Sequence, residues 1–249
     1  MELRKFKRRL HYGVNPVVAM ALSAMVFFSL SRFCLALWQL DNLDDMSFSW
    51  LFSQGLRVDF ASVCALFALP LLALLIASLN PYVRVPRFIL FVLRVYGTLG
   101  LTFIVFNELM TPWFISDFKT RPNHIFVHYM QDIPALLATL WDGHKLDLLV
   151  VLAGTLLALY GSYRLCTFFF KSYHQGTFKY NALVLVITIC IVPLGVRSSF
   201  DHSPFNPDMV AISDNSVANA LPLNSSYSVI YNLFHLDELP IFDPDKGLK

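Results

Sequence analysis

Charge is scarce in this sequence. Acidic and basic residues make up 14% of the chain, and apolar residues make up 56%. A soluble globular domain carries nearer ~25% charged residues. The deficit therefore points to a lipid bilayer as the main solvent of the protein.

Catalytic sequence motifs are missing as well. The chain contains no GxSxG, no P-loop, no GxGxxG in a Rossmann context and no cluster of Asp and His. Its basic residues sit in short loops, so nothing supports nucleic-acid binding. We expect no catalytic residue, no metal site and no cofactor within these 249 residues.

The cysteines lack the CxxC spacing of a metal site or redox pair. All four lie in or beside apolar runs: Cys34, Cys64, Cys166 and Cys190. Free cysteine behaves as a small, usually buried hydrophobe. We predict four free, buried thiols.

Five apolar runs of about 20 residues are present, near the length that spans a bilayer. They cover residues 15–38, 57–79, 88–106, 146–170 and 180–196. Pro70 and Pro193 fall inside runs, which neighbouring membrane helices tolerate. The first run is too long for a signal peptide and lacks a cleavage site. The sequence thus predicts an all-α membrane protein with a five-helix domain, residues 1–196.

Loop charges predict the orientation. Five basic residues lie among the first nine, and the loops 80–87 and 164–179 are also basic. If all five runs cross, these three segments share one side, and the acidic loop after the first run lies opposite. Cytoplasmic loops carry the excess of Lys and Arg. We predict a cytoplasmic N-terminus and an external C-terminus.

Two long segments would then lie outside. The apolar residues spaced among polar ones in 107–145 predict short amphipathic helices in the membrane interface. Trp113, Tyr129 and Trp141 are expected at the headgroup layer. Residues 197–249 predict an extracytoplasmic linker with short helices near 216–221 and 228–236. The linker has too little apolar surface for a core of its own.

Several polar residues near the outer ends of the runs are candidate functional residues. Charges at membrane depth are costly and often functional, whereas near the interface long side chains snorkel cheaply. Structural ion pairs and binding of lipid headgroups both fit Arg57, Asp59 and Glu108. The candidates for headgroup binding are Arg57, Asp59, Glu108, Arg121, Asn123 and His128. For Arg121 the alternative is simple solvation, and Arg32 and Arg94 are expected to snorkel.

Two shorter patterns suggest a metal site and a glycosylation site. His124 and His128 stand four residues apart, which can place two imidazoles on one helix face. No third ligand is nearby, so interfacial polar residues are favoured over a metal site. The triplet Asn224, Ser225 and Ser226 matches the N-glycosylation acceptor pattern.

The order of segments resembles a known family. The relevant runs are GLRVD at 55–59, RPNHIFVHY at 121–129, GVRSSFDHSP at 195–204 and NALPLNSSY at 219–227. Their order and spacing relative to five spans resemble the membrane region of lipoteichoic acid synthase-like, sulfatase-type phosphoglycerol transferases of bacterial inner membranes. The resemblance covers essentially the whole chain.

The resemblance implies an anchor for a catalytic domain. In that family, five helices lead through a linker to an extracytoplasmic domain of the alkaline phosphatase superfamily. That domain uses a threonine nucleophile and a divalent metal, usually manganese, to move phosphoglycerol from phosphatidylglycerol. This chain ends at Lys249, about where such a domain would begin, so neither nucleophile nor metal ligand is carried over.

The sequence supports three functional hypotheses. The chain is the membrane module of such a transferase, and its candidate partners are membrane lipids, phosphatidylglycerol above all, and a separately encoded catalytic domain. Alternatively, it is an independent, non-catalytic inner-membrane protein that binds lipid or a partner through its outer face. A small transporter is the weakest hypothesis, because paired broken helices and mid-membrane charges are missing.

Overall fold

The computed structural model describes residues 15–43, 47–80, 82–131, 133–134, 141, 143, 145–171, 173–198 and 205–235. These residues form α-helices and two short 3-10 turns, and they contain no β-strand. The helices are α1 (Pro16–Trp38), α2 (Phe48–Ala77), α3 (Arg87–Phe118), α4 (His124–Gln131), α5 (Lys145–Lys171), α6 (Phe178–Arg197), α7 (Ser216–Ala220) and α8 (Ser225–Phe234). The prediction of an all-α fold is confirmed.

Five of these helices are long and apolar enough to cross a membrane: α1, α2, α3, α5 and α6. Large apolar side chains cover their outer surfaces. On α5, for example, Leu146, Leu156 and Leu157 are each at least 60% exposed. Soluble proteins rarely expose continuous apolar surface of this kind. The chain is therefore a multi-pass membrane protein, as its sequence predicts.

Two helices are longer than predicted. α2 begins at Phe48 rather than at residue 57, and α3 continues to Phe118 rather than ending at residue 106. Polar residues inside α3 do not end it, and two of them donate hydrogen bonds to carbonyls of the helix itself. Asn107 Nδ2 donates to the Phe103 carbonyl at 2.8 Å, and Thr111 Oγ1 donates to the Asn107 carbonyl at 3.0 Å. The first part of the predicted interfacial segment 107–145 thus belongs to a long helix.

The chain divides into two compact units. Unit 1 takes its residues from Met1–Phe27, Phe60–Thr102 and Ala158–Pro204, and unit 2 from Phe28–Asp59, Phe103–Leu157 and Phe205–Lys249. In unit 1, the Gln175 side chain links the α5–α6 connection to the α2–α3 connection by hydrogen bonds. Its Nε2 donates to the carbonyls of Asn80 at 2.7 Å and Val83 at 3.1 Å, and its Oε1 accepts from the Val85 amide at 3.2 Å.

Unit 2 contains three apolar clusters. One packs residues of α1, α2, α3 and the α1–α2 connection against α7 and the residue that follows it: Leu35, Ala36, Leu43, Leu51, Ile115, Val217, Ala218 and Leu221. A second joins α3, α4 and α8: Met110, Trp113, Phe114, Ile125, Phe126, Val127 and Val229. The third packs Val58 against Phe205, Val210 and Leu223. Residues 205–235 of the predicted linker are therefore part of the core of this unit.

Several predictions for single residues need correction. Trp113 does not face a headgroup layer, because it is 7% exposed and packs edge-on against Phe114 with ring centroids 5.0 Å apart. All four cysteines are free, as predicted, but Cys34 and Cys190 are exposed rather than buried. The short helices predicted in the tail are confirmed as α7 and α8, and the part of the predicted interfacial segment 107–145 after residue 134 lies largely outside the described residues.

Candidate functional site

Two ion pairs lie buried in unit 2, and they define the candidate site. Arg32 of α1 donates through Nη1 and Nη2 to the two carboxylate oxygens of Asp59 of α2, at 2.7 Å each. Both side chains are 0% exposed. Paired, nearly parallel hydrogen bonds of this kind are the strongest that a guanidinium makes with a carboxylate.

The second ion pair joins Arg121 to Glu108 of α3. Arg121 Nη1 lies 3.0 Å from both carboxylate oxygens of Glu108. Ser31 Oγ donates to Glu108 Oε2 at 2.5 Å. Burial lowers the pKa of the Arg121 guanidinium, while the Glu108 carboxylate raises it. Arginine starts so far above neutrality that the side chain stays charged.

The N-terminal end of α8 binds both ion pairs. Asn224 Nδ2 donates to Asp59 Oδ1 at 3.0 Å, while its Oδ1 accepts from the Tyr227 amide and caps α8. The Ser225 amide donates to Glu108 Oε1 at 2.8 Å, and Ser225 Oγ accepts from Arg121 Nη1 at 3.0 Å. Two adjacent residues thus connect the carboxylates of two helices.

Arg121 also binds the end of α7. Its Nε donates to the Ala220 carbonyl at 2.9 Å, and its Nη2 lies 3.4 Å from the Leu221 carbonyl. These are carbonyls of the last helical turn, which otherwise have no intrahelical donor. We call the whole set the polar clasp: Ser31, Arg32, Asp59, Glu108, Arg121, Asn224 and Ser225.

The clasp changes the assignment of three predicted residues. The structural alternative predicted ion pairs for Asp59 and Glu108 with Arg57 as the candidate partner, but Asp59 pairs with Arg32 and Glu108 pairs with Arg121. Arg121 is 1% exposed, so it is not simply solvated. A headgroup-binding role for these three residues would need exposed surface that this conformation does not give them.

Arg32 and Asn224 correct two further expectations. Arg32 does not snorkel, because its head group is buried against Asp59. Asn224 is 1% exposed, and both ends of its amide are bonded, so the acceptor triplet offers no reactive nitrogen in the folded protein. Sequence reasoning missed the roles of Arg32, Asn224 and Ser225. A polar residue directly before a helix is a capping signal, and it would have identified Asn224.

The side chain of Arg57 is only partly buried. It is half-buried, its guanidinium carbon lies 4.8 Å from the centroid of the Phe205 ring, and its Nη1 lies 3.4 Å from Gln54 Oε1. The Tyr227 hydroxyl donates to the Phe205 carbonyl at 2.7 Å, and burial raises the pKa of this phenol, so it remains a donor. The headgroup hypothesis stays a prediction for Arg57.

Asn123 and His128 belong to the start and the end of α4. Asn123 Oδ1 accepts from the Ile125 amide at 3.0 Å and so begins the helix, and His128 lies half-buried in its last turn. Burial lowers the pKa of His124, and the neighbouring His128 adds to this shift. Among the described residues, no group of three or more His, Cys, Asp or Glu side chains could hold a metal ion.

No protein-family model matches the chain, and no solved structure matches it. The interpretation of the site therefore rests on its own geometry.

The first prediction concerns the coupling of Arg32 and Asp59. Asp59→Asn leaves a buried guanidinium without counter-charge, and Arg32→Met leaves a buried carboxylate. Each should cost about 3–5 kcal/mol of unfolding free energy. The double variant should lose less than the sum, with a coupling on the order of 2 kcal/mol. Equilibrium unfolding in detergent measures this. Strictly additive losses of unfolding free energy in the double variant would contradict the pairing. Arg164→Met, at an exposed arginine, is the control.

The second prediction concerns Gly55 of α2. A Cβ at this position would overlap the Arg32 guanidinium, which Asp59 holds in place. In an open helix position, alanine is favoured over glycine by about 1 kcal/mol. Gly55→Ala should therefore lower the melting temperature, and Gly161→Ala, where a Cβ meets nothing within 4 Å, should not. A stabilised Gly55→Ala variant would show that Arg32 is not fixed there.

Proposed function

We propose that this chain is the membrane anchor of a sulfatase-type, phosphoglycerol transferase-like protein, and that the polar clasp fixes the segment that leads out of the anchor. The observation that supports the proposal is the attachment of residues 220–225 to Asp59, Glu108 and Arg121. A linker that only tethered a domain would need no buried charges. A linker bound to two helices can set the distance and direction of the domain attached to it.

The proposed location is the cytoplasmic membrane of a bacterium, with the N-terminus inside and the C-terminus outside. The basic loops support this orientation, and the segment order that resembles the family supports the membrane type. The catalytic step, with manganese and a threonine nucleophile, would belong to the domain that the anchor serves. Positioning that domain at the headgroups of its lipid substrate is a form of proximity catalysis.

One observation supports an alternative of a different class. Arg57 is half-buried beside the Phe205 ring, and a guanidinium can bind a phosphate bidentately. An independent, non-catalytic protein could bind lipid headgroups there. The gene distinguishes the two proposals. A sulfatase-type domain encoded after Lys249, or in the next reading frame, supports the anchor, and neighbouring genes without such a domain support the alternative.

The third prediction concerns topology. A phosphatase reporter that works only outside the cytoplasm should be active when fused after Lys249 and inactive when fused at Arg84 or Lys171. The reason is the excess of basic residues in the loops that contain the last two positions. Enzyme assays on whole cells measure this. A reporter that is inactive after Lys249 and active at Arg84 would reverse the orientation and remove the anchor proposal.

The fourth prediction tests the clasp itself. Asn224→Ala removes a helix cap and a hydrogen bond to Asp59 while leaving both ion pairs intact. Local opening of residues 205–235 should increase on the order of tenfold or more. Limited proteolysis of the purified protein, followed by mass spectrometry, should show faster cleavage there. Leu233→Ala, at a half-exposed position of α8, is the matched control. Equal cleavage of the two variants would contradict the clasp.

A further inference from the structure

A cationic groove in unit 1 has no part in the proposed function. It lies between α3 and α5 and encloses a cavity of about 330 Å³. Its lining consists of Arg87, Leu90, Phe91, Arg94, Thr167, Phe170 and Lys171. Three of these residues are cations and three are large hydrophobes. We call this feature the basic groove.

Helical spacing explains why the polar residues meet there. Arg87 and Arg94 are seven residues apart on α3, about two turns, so they share one helix face. Thr167 and Lys171 are four apart on α5 and share a face in the same way. Arg87 is the first residue of α3 and Lys171 the last of α5. Arg94 lies about 10 Å further along α3, at 1.5 Å per residue.

Among the described residues of unit 1, the cations of the groove have no acidic counterpart. The described residues of unit 1 include no Asp or Glu. Arg94 is held by aromatic rings instead, with its guanidinium carbon 5.5 Å from the centroid of Phe91 and 5.9 Å from that of Tyr163. Such contacts orient a guanidinium without neutralising it. The groove therefore keeps its positive charge for an external anion.

Thr167 provides an independent sign of a ligand. Its Oγ1 is buried and makes no hydrogen bond to any described residue. Other helical threonines donate to the carbonyl four residues earlier: Thr98, Thr102, Thr111, Thr155 and Thr188. Buried hydroxyl groups are normally paired. A hydroxyl that lines a cationic groove and forgoes this bond is placed to donate to a bound acceptor.

We propose that the basic groove binds the phosphodiester headgroup of an anionic phospholipid. Arg87 and Arg94 supply planar donors that match phosphate oxygens, and Lys171 adds a third positive charge. Leu90, Phe91 and Phe170 provide apolar surface for the glycerol and the first methylenes of the acyl chains. Basic pockets between transmembrane helices are suited to such headgroups. A free phosphate ion would share the cations but gain nothing from the apolar lining.

The test measures lipid binding to the purified full chain in neutral detergent by native mass spectrometry, with phosphatidylglycerol as the probe and phosphatidylcholine as the zwitterionic reference. Arg94→Gln should weaken phosphatidylglycerol binding about fivefold, near the value of one basic side chain at a membrane surface. Thr167→Val, which is nearly isosteric, should weaken it by about twofold to tenfold. Arg164→Gln is the matched control, because Arg164 lies on α5 outside the groove and donates to the Tyr160 hydroxyl at 2.9 Å.

The outcomes separate the proposal from its competitors. Equal losses for Arg94→Gln and Arg164→Gln would show a general charge effect and overturn the site. Displacement of phosphatidylglycerol by an equal concentration of inorganic phosphate would assign the groove to a soluble anion and overturn the lipid. Unchanged binding in Thr167→Val would remove the hydroxyl from the site. If Arg94→Gln fails to fold, Thr167→Val and Lys171→Gln measure the same affinity.

Discussion

Neutralisation of buried charge is the constraint on which unit 2 depends. Arg32, Asp59, Glu108 and Arg121 are each at most 6% exposed. Removing one such ion from water costs several kcal/mol even after the protein relaxes. The attraction within an ion pair offsets this cost only when the remaining hydrogen-bonding groups are also satisfied. Two arginines and two carboxylates balance in charge, but a guanidinium has about five N–H donors and a carboxylate about four acceptor sites, and one ion pair uses only some of them. The unmet capacity has to be filled from elsewhere in the chain.

Residues 220–225 fill much of it, which explains why a polar segment folds onto membrane helices, although the buried Arg32 Nε has no hydrogen-bond partner among the described residues. Asn224 and the Ser225 amide complete the carboxylates, while the carbonyls of Ala220 and Leu221 complete the Arg121 guanidinium. The same docking brings Val217 of α7 and Val229 of α8 into apolar clusters with residues of α1, α2, α3 and α4. Half-satisfied networks are worse than apolar cores. The linker and the ion pairs therefore stabilise each other, and neither arrangement is favourable alone.

The fold class and the five long helices could be predicted because hydropathy over about 20 residues is a local property. The end of α3 could not be predicted, because Asn107 and Glu108 look like the polar end of an apolar run until their hydrogen-bond partners are known. Arg32 and Asp59 could have been paired by the rule that charges within apolar spans seek one another. The choice of Arg32 over Arg57 depends on packing around Gly55, which sequence does not show. Asn224 carries both a glycosylation and a capping signal, and only its burial distinguishes them.

The same electrostatic rule accounts for the different surroundings of the arginines in the two units. Every acidic residue in the described part of the chain belongs to unit 2. An arginine there can be buried completely, because a carboxylate is available at bonding distance, as for Arg32 and Arg121. An arginine in unit 1 has no such partner in the described residues, so Arg87 stays exposed and Arg94 only half-buried against aromatic rings. In unit 2, carboxylates of the chain neutralise the buried arginines and form the polar clasp. In unit 1, the arginines of the basic groove keep their positive charge, and their proposed counter-ion is an external anion.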